Sequence, residues 1–159
     1  MSSSGRGLKF WVRAWLPVAV AVCLVAIEST PYFGSDRTSG PLRNLWEMLF
    51  GPVSERHWNI IHILIRKCGH FLGFGLVGLT WLRAWQITLP KAPFLRIELL
   101  ALAGTALIAS ADEFHQSFLP NRTSSPRDVM LDCCGALVTQ LLAYFLLRSR
   151  RFRPAATAE

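Results

Sequence analysis

Asp112, Glu113, His115 and Gln116 fall within one five-residue run, Asp112-Glu113-Phe114-His115-Gln116. Carboxylates, imidazole and amide at this density can exchange protons, share hydrogen bonds or ligate a metal. If the run is helical, Asp112, His115 and Gln116 share a face, because residues three and four apart are neighbours. Glu113 then turns partly away, toward the face it shares with Gln116. Asp128 and Asp132 are one turn apart, and Lys67 and His70 are three apart. Between the two acidic groups stands Arg122, whose planar fork suits bidentate contact with a phosphate or carboxylate.

Each group also has a plainer role. His70 and His115, with Glu113 or Asp112, could hold a metal or pass a proton. Hydrogen bonding between helices accounts for them more simply. No C-x-x-C and no Cys/His zinc spacing occurs, so neither a metal nor another cofactor is expected. The alternative for Arg122 is an ion pair with Asp112, Asp128 or Asp132, and for Asp132 a packing hydrogen bond to a neighbouring helix. No nucleophile elbow, phosphate-binding glycine loop or Ser/His/Asp arrangement is present. The residues alone therefore leave open whether the chain is an enzyme.

The elements that must position these groups are apolar blocks. The 159 residues are 52% apolar and 17% charged, with mean hydropathy +0.33; soluble domains carry about 25% charged residues. A chain this short cannot bury four such blocks in a soluble core, so lipid is the expected solvent. The blocks cover residues 10–27, 68–85, 97–111 and 129–147. The third reaches the roughly 20 residues of a span only if the polar run 112–116 continues its helix. The first resembles a signal peptide, but no A-x-A-like site follows it, so an uncleaved helix is expected. Residues 29–41, rich in Ser, Thr, Gly and Pro, read as a loop. Residues 58–65, apolar but interrupted by Asn59 and His62, read as a helix lying in the interface; a re-entrant segment is the alternative.

The expected fold is thus all-α: an integral membrane bundle of four transmembrane helices, with an additional interfacial helix between the first two. Gly69, Gly73, Gly75 and Gly78 would let the second span approach its neighbours closely. Pro120-Asn121 suits a tight turn, and Pro126 suits the first turn of the last helix. The six tryptophans read as interfacial anchors, and Cys23, Cys68, Cys133 and Cys134 as small apolar helix residues. Residues 1–147 form the membrane domain, and the basic tail 148–159 frays.

The net charge of +7 does not form a nucleic-acid stripe, since the basic residues flank the apolar blocks. With the N-terminus inside, the inner segments hold ten Lys and Arg and two acids; the outer segments hold seven and eight. The positive-inside rule therefore predicts both termini in the cytoplasm. Glu28, Lys67, His70, the 112–116 run, Asp128 and Asp132 then meet at the outer surface. Ionisable groups at that depth usually face a bundle interior or a wet cavity, which implies an outward-facing polar pocket.

At Lys67-Cys68-Gly69-His70-Phe71-Leu72-Gly73-Phe74, and at the longer run from Asp112 to Asp128 continued by Asp132 and Gly135, the chain resembles the VanZ-like family. The family pattern is D-E-x-H-Q, then P-G-R, then an Asp opening the last helix, then N-x-x-G. The resemblance extends over about residues 10–147. Asn121 stands where Gly is usual, and Asp132 where Asn is common, which makes the pocket more acidic. The resemblance implies a multi-pass protein of the bacterial cytoplasmic membrane; the family's namesake is associated with low-level resistance to the glycopeptide teicoplanin. The expected function is binding of an envelope lipid head group, or a lipophilic glycopeptide, with a role in resistance or cell-envelope homeostasis. Lys67 and Arg122 would meet anionic groups, while His70, Glu113, His115 and Gln116 shape the site and Asp112, Asp128 and Asp132 line it. The alternatives are an enzyme using His and carboxylates on a lipid-linked substrate, or a proton or ion pathway. Glu98, the only inner acid near a span, offers little relay for the last.

Overall fold

A computed structural model describes residues 6–119, 122 and 124–151, with side chains as far as residue 146. Five α-helices follow one another: α1 (Leu8–Glu28), α2 (Ser35–Phe50), α3 (Glu55–Thr88), α4 (Phe94–Gln116) and α5 (Pro126–Arg151). A single 3-10 turn, Pro31–Phe33, joins α1 to α2, and there is no strand among the described residues. Helices α1, α3, α4 and α5 are long and apolar enough to cross a membrane.

The polar run does continue α4. That helix starts after Pro93 and ends at Gln116, 23 residues in all, so the third apolar block reaches spanning length. Helix α5 begins at Pro126, where the missing N–H costs nothing. Residues 120, 121 and 123 and the tail from 152 lie outside the described residues, the Pro120-Asn121 turn among them.

Between the first two spans the structure corrects the sequence expectation twice. Residues 35–41 are not loop but the opening turns of α2, despite Gly40 and Pro41. Residues 58–65 are not a separate helix but the beginning of α3, which runs unbroken for 34 residues. At 1.5 Å per residue that is about 50 Å, well beyond a hydrocarbon core of about 30 Å. Tertiary contacts fix α2 on this overhang. Trp58 Nε1 donates to Ser39 Oγ at 2.7 Å, Thr38 Oγ1 lies 3.2 Å from His62 Nε2, and Arg43 reaches Glu47, Glu55 and the Val53 carbonyl. Trp58 is 1% exposed, so it packs two helices together and is not a lipid-facing anchor.

Helix α3 is the centre of the bundle and packs against α1, α4 and α5; α4 also packs against α5. The α3–α5 seam runs through glycine. A Cβ on Gly135 would sit 2.1 Å from the Phe71 carbonyl oxygen, and one on Gly78 would sit 2.7 Å from the Ala136 Cβ. Across the seam Thr139 Oγ1 donates to the Gly75 carbonyl and the buried Gln140 amide to that of Gly78. One end of the bundle is aromatic and basic. Trp15 meets Trp81 and Trp85 edge-on at 5.6 and 4.9 Å, Arg6 donates to the Thr88 carbonyl and Arg83 to that of Arg13. The polar cluster lies at the other end.

Candidate functional site

The alternation of chain direction brings the end of α1, the middle of α3, the end of α4 and the start of α5 together. Asp132, on the second turn of α5, is fully buried and faces His70 of α3 at 3.5 Å between Oδ1 and Nδ1. That is an ionic contact too long for a good hydrogen bond, and neither Asp132 oxygen has another partner. On α4, Asp112 and Gln116 are one turn apart and both buried, and Gln116 Nε2 donates to Asp112 Oδ2 at 2.8 Å. Asp112 Oδ1 is buried with no partner. Glu113 is buried beside them and accepts the Ser125 N–H at 2.8 Å through Oε2, which ties the loop before α5 to α4.

Lys67 and Asp128 form an ion pair at the mouth of this cluster. With Arg66, His70, Glu113 and Gln116 they line a cleft of about 90 Å³. A second cavity, about 160 Å³, opens between α1, α3 and α4. His70, Asp112, Gln116, Glu28 and Ser29 form its polar end; Leu24, Val25, Phe74, Leu76 and Val77 form apolar walls. His70 and Gln116 border both spaces.

The nine residues singled out by sequence thus divide. His70, Asp112, Glu113, Gln116 and Asp132 make the buried cluster, and Lys67 and Asp128 stand at its mouth. His115 and Arg122 do not enter it. His115 is exposed on the far side of α4, where its Nδ1 shares a 2.9 Å hydrogen bond with Ser29 Oγ, and it lines a shallow depression with Asp112 and Ile108. Arg122 gives Nη2 protons to the carbonyls of Glu28 and Thr30 at 2.6 and 3.2 Å. It forms no ion pair among the described residues, in contrast to the expected alternative. Burial, with nearby Arg66 adding to it, lowers its pKa, but a guanidinium stays charged at neutral pH.

Sequence reasoning passed over Ser29 and gave Gly69 and Gly73 a helix-packing role that the structure does not bear out. The two glycines have nothing within 4 Å of where a Cβ would be; they open the cavity wall, whereas Gly75 and Gly78 make the helix contact. All four look alike in sequence, and only the side of α3 on which each falls separates them.

The architecture and the cluster define a multi-pass helical membrane protein with an acid-rich polar site at one end of its bundle. A model of the VanZ/LLP1 family matches residues 10–148, and the chain belongs to that family. No curated protein and no solved structure is detectably similar to it.

Proposed function

We propose that the protein binds an amphiphile of the cell envelope, a lipid or a lipophilic glycopeptide, with its polar head at the His70–Asp112–Gln116 end and its apolar part along the α1–α3–α4 cavity. One observation carries this reading: a single cavity has a polar end that includes the buried Ser29, Asp112 and Gln116 and apolar walls opened by Gly69 and Gly73. Arg122 has a different part from the one its sequence suggests. Because it is engaged with the Glu28 and Thr30 carbonyls, it serves the reading by bracing the end of α1 beside the site. Lys67, paired with Asp128, and Arg66 are the cations of the adjoining cleft.

The site belongs, in this reading, to the outer face of the bacterial cytoplasmic membrane, with both termini inside. The basic residues Arg6, Arg13, Arg83, Lys91 and Arg96 at the opposite end support that sidedness. Helix α2 lies in the outer interface, which its exposed Leu45, Met48, Leu49 and Phe50 suit. A transmembrane relay is disfavoured, because the buried Phe74, Val77 and Ala109 pack together next to the polar cluster.

Gly73→Leu tests the reading. A Cβ at Gly73 meets nothing within 4 Å, so the fold should survive the larger side chain while native mass spectrometry shows co-purifying lipid lost or reduced at least about tenfold, a cost of about 1.4 kcal/mol. Lipid retained at the wild-type level in a folded Gly73→Leu protein would remove the cavity from any binding role.

A further inference from the structure

The cluster's charges do not balance. Asp128 has Lys67, and Asp132 has His70. Asp112 and Glu113, 7% and 4% exposed, form no ion pair among the described residues; the Gln116 amide and the Ser125 N–H donate to them, and Arg122 acts on both only from a distance. Arg122, the nearest uncommitted charge by sequence, gives Nη2 to backbone carbonyls. Buried carboxylates without a counter-charge in direct contact are costly, more so at membrane depth. One ligand atom from each of His70, Asp112 and Glu113 lies within 4.8 Å of the others, two of the three residues are buried, and Asp112 Oδ1 is without a partner.

We propose that His70, Asp112 and Glu113 form a site for one borderline divalent cation, Zn²⁺ or Mn²⁺. An imidazole with two carboxylates suits these ions better than Mg²⁺ or Ca²⁺, which take oxygen ligands alone. Asp132 stands behind His70, its Oδ1 3.5 Å from Nδ1: with the cation on Nε2, a modest approach of this carboxylate would give the ligating histidine the outer partner that orients such rings. The three ligands come from two helices, His70 lying 42 and 43 positions before the adjacent Asp112 and Glu113, so no short motif holds the whole ligand set. It stands on its own side chains and does not require an occupant in the adjoining cavity.

The test uses the full chain, delipidated and chelator-stripped in detergent micelles. Mn²⁺ titration followed by electron paramagnetic resonance should show one saturable site per chain, displaced by Zn²⁺ and not by equimolar Mg²⁺. Asp112→Asn and Glu113→Gln should each weaken binding at least about tenfold, the lower end of what losing even an outer partner costs. His57→Ala, at the exposed start of α3, should bind as wild type. A readout on the unaltered protein guards against variants that fail to fold: either cation should slow diethyl pyrocarbonate modification of His70 while His57 reacts as before. No saturable binding, equal binding in the two carboxylate variants, displacement by equimolar Mg²⁺, or unprotected His70 would each overturn the assignment. Because lipid is absent throughout, failure here leaves the amphiphile reading intact, and failure of Gly73→Leu leaves this one intact.

Discussion

The guanidinium of Arg122 reaches back 94 positions to the carbonyl of Glu28, and its second contact is the carbonyl of Thr30. Both acceptors lie where α1 ends, so one side chain ties the loop before α5 to the first span. Charge-assisted hydrogen bonds of this kind contribute about 1.5–3 kcal/mol each, less here because the residue is only half-buried. Arg122→Ala is expected to cost about 1–3 kcal/mol and lower the melting temperature in micelles by several degrees, with Arg122→Lys intermediate. A melting temperature unchanged by Arg122→Ala would show that the loop is held by Glu113 and Ser125 alone.

Between helices, the α3–α5 seam depends on backbone approach more than on side-chain volume. Lipid tails are as apolar as leucine, so spans gain little from burying apolar surface against each other and rely on close packing and interhelical hydrogen bonds. Gly135 lies where any Cβ would strike the Phe71 carbonyl, while Gly69 faces open space. Gly135→Ala should therefore destabilise the bundle by about 1–3 kcal/mol or more, by overpacking. Gly69→Ala should leave it unchanged or stabilise it by up to about 1 kcal/mol, through helix propensity. Reversible unfolding in mixed micelles measures both. Equal effects from the two substitutions would mean that the seam is looser than its geometry indicates.

At the scale of the whole molecule, the bundle has two chemically different ends. The turn between α3 and α4 carries exposed Lys91 near the Trp15–Trp81–Trp85 cluster, and the loop before α5 carries exposed Ser124 at the acidic site. In a cell with otherwise unreactive cysteines, Ser124→Cys should react with a membrane-impermeant maleimide added outside, and Lys91→Cys only after permeabilisation. The reverse pattern would place the site in the cytosol, where an envelope amphiphile arriving from outside could not reach it.

The four spans, the polar run's place at the end of the third, and the family were legible in the residues. Hydropathy and span length are local properties that lipid enforces on every segment alike, and the motifs 67–74 and 112–128 are contiguous. Even the placing of the polar helix ends, Lys67 and His70, the 112–116 run, Asp128 and Asp132, at one end of the bundle followed from the alternating direction of the helices. What the sequence could not decide was direction around each helix axis. Whether Arg122 faces a ligand or a carbonyl, whether His115 looks inward or out, and which glycines open a cavity depend on the rotation of one helix against another. That rotation is set by long-range packing. The same holds for α2: Ser39, Gly40 and Pro41 favour a turn when read locally, and the contacts of Trp58, His62 and Glu55 from the next helix hold them in a helix instead.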